Sequence, residues 1–195
     1  MVNVPDFDSL YRDDPDPWQV ASSFYEQRKR AVVLASLTRA RYRSAWDPGC
    51  GTGELAVHLA TRADSVLATD ISGEAVRLTA ARCAELPQVS VGRMRQPCLP
   101  GSADGGFDLI VIAEFAYYLP APDRAEMWRA ISNAAAEDAE ILVIHWRHLP
   151  HDAHLSGFDV NGEAVQALTS EPGWQTAVRH VDQDFVLDVL RRGAS

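Results

Sequence analysis

The chain has 195 residues, 47% hydrophobic and 23% charged, the balance of an ordinary globular protein with a well-buried core. The formal net charge is -9 and Lys29 is the only lysine, so no Lys/Arg-dense run tracks phosphates. DNA and RNA are therefore poor ligands, while a cationic or neutral small molecule is compatible. Three scattered cysteines form no CxxC pair, and residues 1–10 carry acids without the apolar core of a signal peptide. No apolar run approaches membrane-spanning length, so a soluble cytoplasmic protein is expected, with no membrane partner.

Residues 1–18 are acidic and proline-bearing, with Asp13-Asp14-Pro15-Asp16-Pro17-Trp18 at their end. Two X-Pro units disfavour helix there and predict an ordered turn or arm. A helix follows over residues 22–37, with Ser22 or Ser23 as N-cap and Glu26 in its first turn. Tyr25, Val32, Val33 and Leu37 give it an apolar face, and Trp18 and Tyr25 are either core or part of a lid. From Arg43 the pattern alternates, and Ala45-Trp46-Asp47 ends a first strand. Residues 54–62 read as a crossover helix and 65–70 as a second strand ending on Asp70. Ser72 caps a helix running to about residue 85, with Glu74 in its first turn. A third strand spans 89–91, a Pro/Gly/Ser loop 98–106, and a near-continuously apolar fourth strand 107–114. A helix over 122–137, a strand over 140–146, a loop over 148–157 and a helix from 161 to about 169 come next. Strands near 176–181 and 185–190 close the chain, and Asp182-Gln183-Asp184 between them is too short for a parallel crossover. This alternation predicts one α/β domain over residues 1–195, residues 1–42 forming an N-terminal arm and lid helix. Its sheet has seven mostly parallel strands, a C-terminal antiparallel hairpin, and helices on both faces.

Asp47-Pro48-Gly49-Cys50-Gly51-Thr52-Gly53-Glu54 organises the rest. A strand, a glycine turn and a helix start form a nucleotide cradle, because glycine allows φ > 0 and close ligand approach. Gly51-Thr52-Gly53-Glu54-Leu55-Ala56 also fits the dinucleotide fingerprint, so a dehydrogenase is a rival. Asp47 directly before the glycines would repel a pyrophosphate but suits the ammonium of a methionine moiety. A helical segment ahead of the first strand and a closing hairpin in place of a second nucleotide-binding half also favour S-adenosylmethionine. So does the placing of Phe107-Asp108 and Glu114 on a flanking fourth strand.

Asp47-x-Gly-x-Gly-x-Gly53, Asp70 and Phe107-Asp108-Leu-Ile-Val resemble class I S-adenosylmethionine-dependent methyltransferases, with a Rossmann-like fold. Asp14-Pro15-Asp16-Pro17-Trp18, Ser23-x-Tyr25-Glu26-x-x-Lys29, Ala113-Glu114-x-x-Tyr117-Tyr118-Leu119 and His145-Trp146-Arg147 resemble the NodS type, nodulation enzymes that N-methylate an amino sugar. The chain departs from that pattern further on, with Gly157-Phe158-Asp159 and Asn161 in place of a Gly-Asp pair and a following His.

The resemblance implies a donor site whose product is S-adenosylhomocysteine, and a small-molecule acceptor, an amino-sugar amine being the first choice. A small-molecule O-methyltransferase and a non-catalytic nucleotide-binding module are the alternatives. Asp47 would hold the methionine ammonium, or else cap the next helix. Gly49, Gly51 and Gly53 would admit the donor, and Asp70 would bind the ribose hydroxyls or partner the following helix. Ile71 is placed against adenine or in the core. Met94 and Arg95 are adenine-side positions where many relatives carry an acid; a backbone carbonyl or Gln96 is the substitute here. Trp18, Tyr25, Arg28 and Lys29 are lid residues, the two cations either reaching the methionine carboxylate or facing solvent. Glu114 would contact the donor, orient the acceptor amine or act as base, or else only partner an arginine; with Tyr117 and His145 it makes up the catalytic candidates, His145 being equally readable as structural. Trp146 and Arg147 would line the acceptor pocket, unless Trp146 is core. His145, His148, His151 and His154 recur every third residue, but Pro150 breaks helical spacing and no cysteine accompanies them, so no metal is expected.

Overall fold

The computed structural model describes residues 4–101 and 105–193. Residues 1–3 of the expected arm and 102–104 of the expected 98–106 loop lie outside the described residues. Strands β1 (Tyr42–Pro48), β2 (Ala63–Asp70), β3 (Val89–Arg93), β4 (Phe107–Ala113), β5 (Ala135–Trp146), β6 (Trp174–Val181) and β7 (Phe185–Arg192) form one sheet. Their order is β3-β2-β1-β4-β5-β7-β6. The first five run parallel, and β7 pairs antiparallel with both β5 and β6. The helices are α1 (Phe7–Asp13), α2 (Phe24–Ser36), α3 (Glu54–Leu59), α4 (Gly73–Arg82), α5 (Ala121–Ala134) and α6 (Gly157–Thr169). This is the seven-stranded mixed sheet with a terminal hairpin that the alternation predicts.

The chain moves outward from β1 to β3, then returns to place β4 on the other side of β1. Strand order reverses there, and β1–β4 pairing reaches only Trp46 and Ile110, which leaves a crevice at the carboxyl ends of the two strands. Strand alternation fills both faces of the sheet. Ile110 and Ile112 of β4 pack with Trp46, Met127 and Ile131, whereas Leu109 and Val111 pack with Val33, Leu59 and Val66.

Four elements differ from expectation. Within the N-terminal arm, α1 forms ahead of the prolines. Asp6 caps it, accepting from the Asp8 N–H at 3.2 Å and the Ser9 hydroxyl at 2.7 Å. Asp8 then accepts from the Ser72 hydroxyl at 2.7 Å and the Glu74 N–H at 3.2 Å, which docks α1 on α4. Second, α5 stops at Ala134 and β5 begins at Ala135, where helix was expected to residue 137. Phe107 pairs with Ala135, and Gly106 lies so close that a Cβ there would sit 2.9 Å from the Ala134 oxygen. Sheet pairing thus overrides the helix propensity of the alanines. Third, α6 starts at Gly157 because the Ser156 hydroxyl caps the Asp159 N–H at 3.1 Å. A Cβ on Gly157 would lie 2.0 Å from the Trp146 oxygen, so only glycine lets α6 press onto the end of β5. The first crossover helix, α3, also ends earlier, at Leu59.

Asp108 fastens the start of β1. It is buried and accepts the N–H groups of Arg43 at 2.9 Å and Ser44 at 2.8 Å. Asp108→Ala strands both donors and is expected to destabilise the protein by about 2–3 kcal/mol in urea unfolding; a change under about 0.5 kcal/mol would contradict that role.

Candidate functional site

The crevice between β1 and β4 opens into a cavity of about 1080 Å³. Asp47 stands at the end of β1, only 1% exposed. Its Oδ2 has no hydrogen-bond partner among the described residues. Burial, and then the neighbouring Asp70, pushes its carboxyl up to about 8. The next turn is held to β2, where the Thr69 carbonyl accepts from Gly49 N–H at 2.7 Å and Cys50 N–H at 3.0 Å. Gly49 and Gly51 have φ of 74° and 55°, which favour glycine. Added Cβ atoms would come within 2.6 Å of the Phe115 ring and 2.9 Å of the Tyr11 hydroxyl. The missing side chains therefore admit protein groups, which bring the loop, α1 and the turn after β4 together.

Asp70 ends β2 and accepts from Gly51 N–H at 3.0 Å and Ser72 N–H at 2.9 Å. Burial still holds its carboxyl above the ordinary range despite those bonds. Two carboxylates thus face one crevice from adjacent strands. An ammonium placed there would meet a buried carboxyl oxygen with no partner among the described residues.

Glu114, just after β4, is the hub of the other wall. Its φ of 60° lies in the left-handed region, uncommon for a non-glycine residue. Its N–H donates to the Ile144 carbonyl at 3.1 Å. Its carboxylate accepts from Lys29 Nζ at 2.5 Å, the Tyr117 hydroxyl at 2.8 Å and the Trp146 N–H at 2.8 Å. Burial alone would raise Glu114, but the Lys29 ammonium and these donors prevail and hold it below the ordinary carboxylate range. Lys29 also donates to Glu26 at 2.7 Å and lies over the Tyr25 ring at 4.8 Å. Burial opposes its charge, yet Glu114 and Glu26 outweigh burial and raise its affinity for the proton. The Tyr25 hydroxyl is buried without a partner among the described residues, and desolvation with nearby Glu114 keeps it a phenol.

Trp18, Tyr25, Asp47, Gly49, Gly51, Asp70, Ile71, Met94, Arg95, Glu114 and Tyr117 all line this one cavity, as does Trp146. Four residues are placed differently. His145 lies beneath the wall, fully buried. Its Nδ1 pairs with Asn161 Oδ1 at 2.9 Å, and its Nε2 accepts from the Ala116 N–H at 3.3 Å. Both nitrogens are engaged, and burial depresses its basicity, so it braces the turn carrying Glu114 and Tyr117. Arg28 forms a paired ion contact with Asp182 of the β6–β7 turn, away from the lining. Gly53 is the N-cap of α3, where a Cβ would come within 2.9 Å of Thr79 Cγ2. Lys29, by contrast, does line the cavity, with its ammonium held by two carboxylates. Arg147 donates to the Asp182 carbonyl at 2.8 Å. Among the described residues, no three His, Cys, Asp or Glu side chains group as a metal site requires.

Phe7 and Tyr11 of α1, Glu26 of α2, and Gln96 also line the cavity. The first two stand one turn apart after a capping Asp6, a short signal outweighed by the prolines that follow. Glu26 reads from the sequence as a first-turn helix acid, which it also is.

The chain matches the family model described as Nodulation protein S (NodS) over residues 8–171. Among solved structures, a Pseudomonas syringae protein assigned as a methyltransferase is similar over 87% of this chain and 100% of its own, with 36% identity and a TM-score of 0.74. N-methyltransferase NodS from Bradyrhizobium japonicum, solved with S-adenosyl-L-homocysteine, is similar over 95% of this chain and 97% of its own, with 20% identity and a TM-score of 0.78. A SAM dependent methyltransferase from Aquifex aeolicus is similar over 97% of this chain and 100% of its own, with 18% identity and a TM-score of 0.70. The latter two likenesses establish the fold. No match was found among curated proteins.

The geometry of Asp47 has a measurable consequence. Its native value of about 8 lies above the ordinary 3.8, so the folded protein keeps a proton that the unfolded chain has released. Stability of the ligand-free protein therefore falls through this group as pH rises from about 4 to about 8. Asp47→Asn removes the effect. Its urea midpoint is expected to exceed that of the unaltered protein by a margin that widens between about pH 5 and 8; a constant margin would contradict the buried, unpartnered state.

Proposed function

The chain belongs to the NodS family of S-adenosylmethionine-dependent methyltransferases, and from that premise we propose that its cleft holds S-adenosylmethionine and methylates the amine of a small molecule, an amino sugar or a related metabolite. One observation carries the donor assignment: Asp47 Oδ2 is a buried carboxyl oxygen without a partner among the described residues, facing the crevice beside Asp70. The amino-sugar assignment rests on the family.

Asp47 accepts from the methionine ammonium, and the new charge pair returns its carboxyl to the ionised form. Asp70 has both oxygens engaged by backbone N–H groups, each with a further lone pair free for the ribose hydroxyls. Gly49 and Gly51 carry the loop past the donor, and Ile71, Met94 and Arg95 border the base. Trp18 and Tyr25 close the cleft from the N-terminal side.

When bound, the sulfonium supplies an activated methyl group, so alignment and exclusion of water suffice for most of the rate. Glu114 accepts a hydrogen bond from the acceptor nitrogen and aims its lone pair. A carboxylate held below its ordinary range is a weak proton acceptor, so its part is orientation. Tyr117 fixes that carboxylate by donating to Oε2, and Lys29 fixes Oε1. The Tyr25 hydroxyl is free to bond the same nitrogen or a neighbouring hydroxyl. Glu26, Asp123 and Asp152 add negative charge along the wall, which favours an amine over an anionic acceptor.

Calorimetry with S-adenosylhomocysteine and NADH tests the donor assignment. Binding of the first and not the second is expected, with Asp47→Ala abolishing it. NADH binding without a response to S-adenosylhomocysteine would overturn the reading. Mass-spectrometric methyl transfer to free amino sugars tests the acceptor. Glu114→Gln is expected to lower kcat by roughly ten- to a hundredfold with donor affinity retained. Transfer to hydroxyls but never to amines would instead identify an O-methyltransferase.

A further inference from the structure

One strand beyond Asp70, a polar side chain is buried with nothing to bond. Gln96 is 8% exposed and lines the cavity. Neither its Oε1 nor its Nε2 has a partner among the described residues. Buried carboxamides are almost always bonded, so this one is completed by something that enters the cleft.

Its place in the fold says which part of a ligand that is. Arg93 of β3 lies opposite Asp70 of β2, and the Met94 N–H donates to the Asp70 carbonyl at 2.8 Å. On the proposed function, on which this inference rests, Asp70 holds the ribose. The base attached to that ribose then extends toward residues 94–96. Ile71 and Met94 offer apolar surface to its faces, and the Arg95 guanidinium carries donors only. Gln96 alone among these presents a donor and an acceptor in one plane.

We infer that the Gln96 carboxamide reads the N1/C6 edge of the purine and, by turning over, accepts 6-amino and 6-oxo purines alike. Adenine presents there a donor, the 6-amino group, beside an acceptor, N1. A carboxamide matches that pair with two hydrogen bonds. A 6-oxo purine presents the reversed pair, an oxygen acceptor beside N1–H. Half a turn about the last side-chain bond exchanges Oε1 with Nε2 and restores both bonds. A carboxylate at this position has acceptors only, so it bonds the amino group and repels the oxo oxygen. Gln96 is thus a specificity-determining residue whose amide relaxes discrimination against the deaminated donor.

Calorimetry with S-adenosylhomocysteine and S-inosylhomocysteine tests this on the unaltered protein, Gln96→Glu and Gln96→Ala. The unaltered protein is expected to bind the two ligands within about tenfold of each other. Gln96→Glu raises discrimination against the inosine form by at least roughly tenfold, and Gln96→Ala weakens both by roughly tenfold. The side chain makes no bond among the described residues, so the thermal midpoints of the ligand-free variants should match the unaltered protein. Discrimination above about a hundredfold in the unaltered protein, or undiminished affinity in Gln96→Ala, overturns the inference while leaving the donor assignment standing. NADH binding with no response to either sulfur ligand overturns the donor assignment and this inference with it.

Discussion

A carboxyl group taken out of water without a partner is a costly thing for a fold to keep, and Asp47 is kept that way at the centre of this molecule. The sheet sets its position. β1 lies where strand order reverses, so the residue ending that strand faces the crevice. The turn that follows must then double back without covering the carboxylate, which is why Gly49 and Gly51 adopt left-handed φ values. Phe115 and Tyr11 close against those glycines, and so the shape of the cleft follows from how the loop leaves Asp47.

The opposite wall shows the same tension resolved within the protein. Glu114 is also enclosed, but it has Lys29, Tyr117 and a backbone N–H as donors and remains ionised. The chain's only lysine is committed there, between two carboxylates. A fully bonded acid on one strand end and an unbonded one on the next divide the cleft into a prepared wall and a vacant acceptor. On the proposed function the donor of an ammonium completes the second, and the first orients a nucleophile without trading protons with it.

Strand alternation and the acids closing each strand made much of this legible in advance. Asp47, Asp70 and Glu114 follow apolar runs, and parallel strands end on a common edge, so the three share one crevice. Alternation also says that neighbours on a strand face opposite ways. It does not say which of His145 and Trp146 faces the cleft; that depends on α6, whose Gly157 packs against His145 and fixes Trp146 on the open side. The same limit applied to Arg28 and Lys29, adjacent on α2, where Asp182 from the distant hairpin took the arginine. Residues 7–13 were legible only as an arm, because their helix gains its footing on the Ser72 end of α4. A short helix rarely holds alone, so its formation belongs to tertiary contact more than to local sequence.

On the proposed function, the ammonium of the donor completes Asp47. With its value near 8, that carboxyl is largely protonated in the ligand-free protein at neutral pH, and a cation beside it expels the proton. Titrating S-adenosylhomocysteine at about pH 7 in buffers of differing ionisation enthalpy counts protons exchanged on binding. Release of about one proton per ligand is expected from the unaltered protein and none from Asp47→Asn. Binding by the unaltered protein with no proton released would contradict the account.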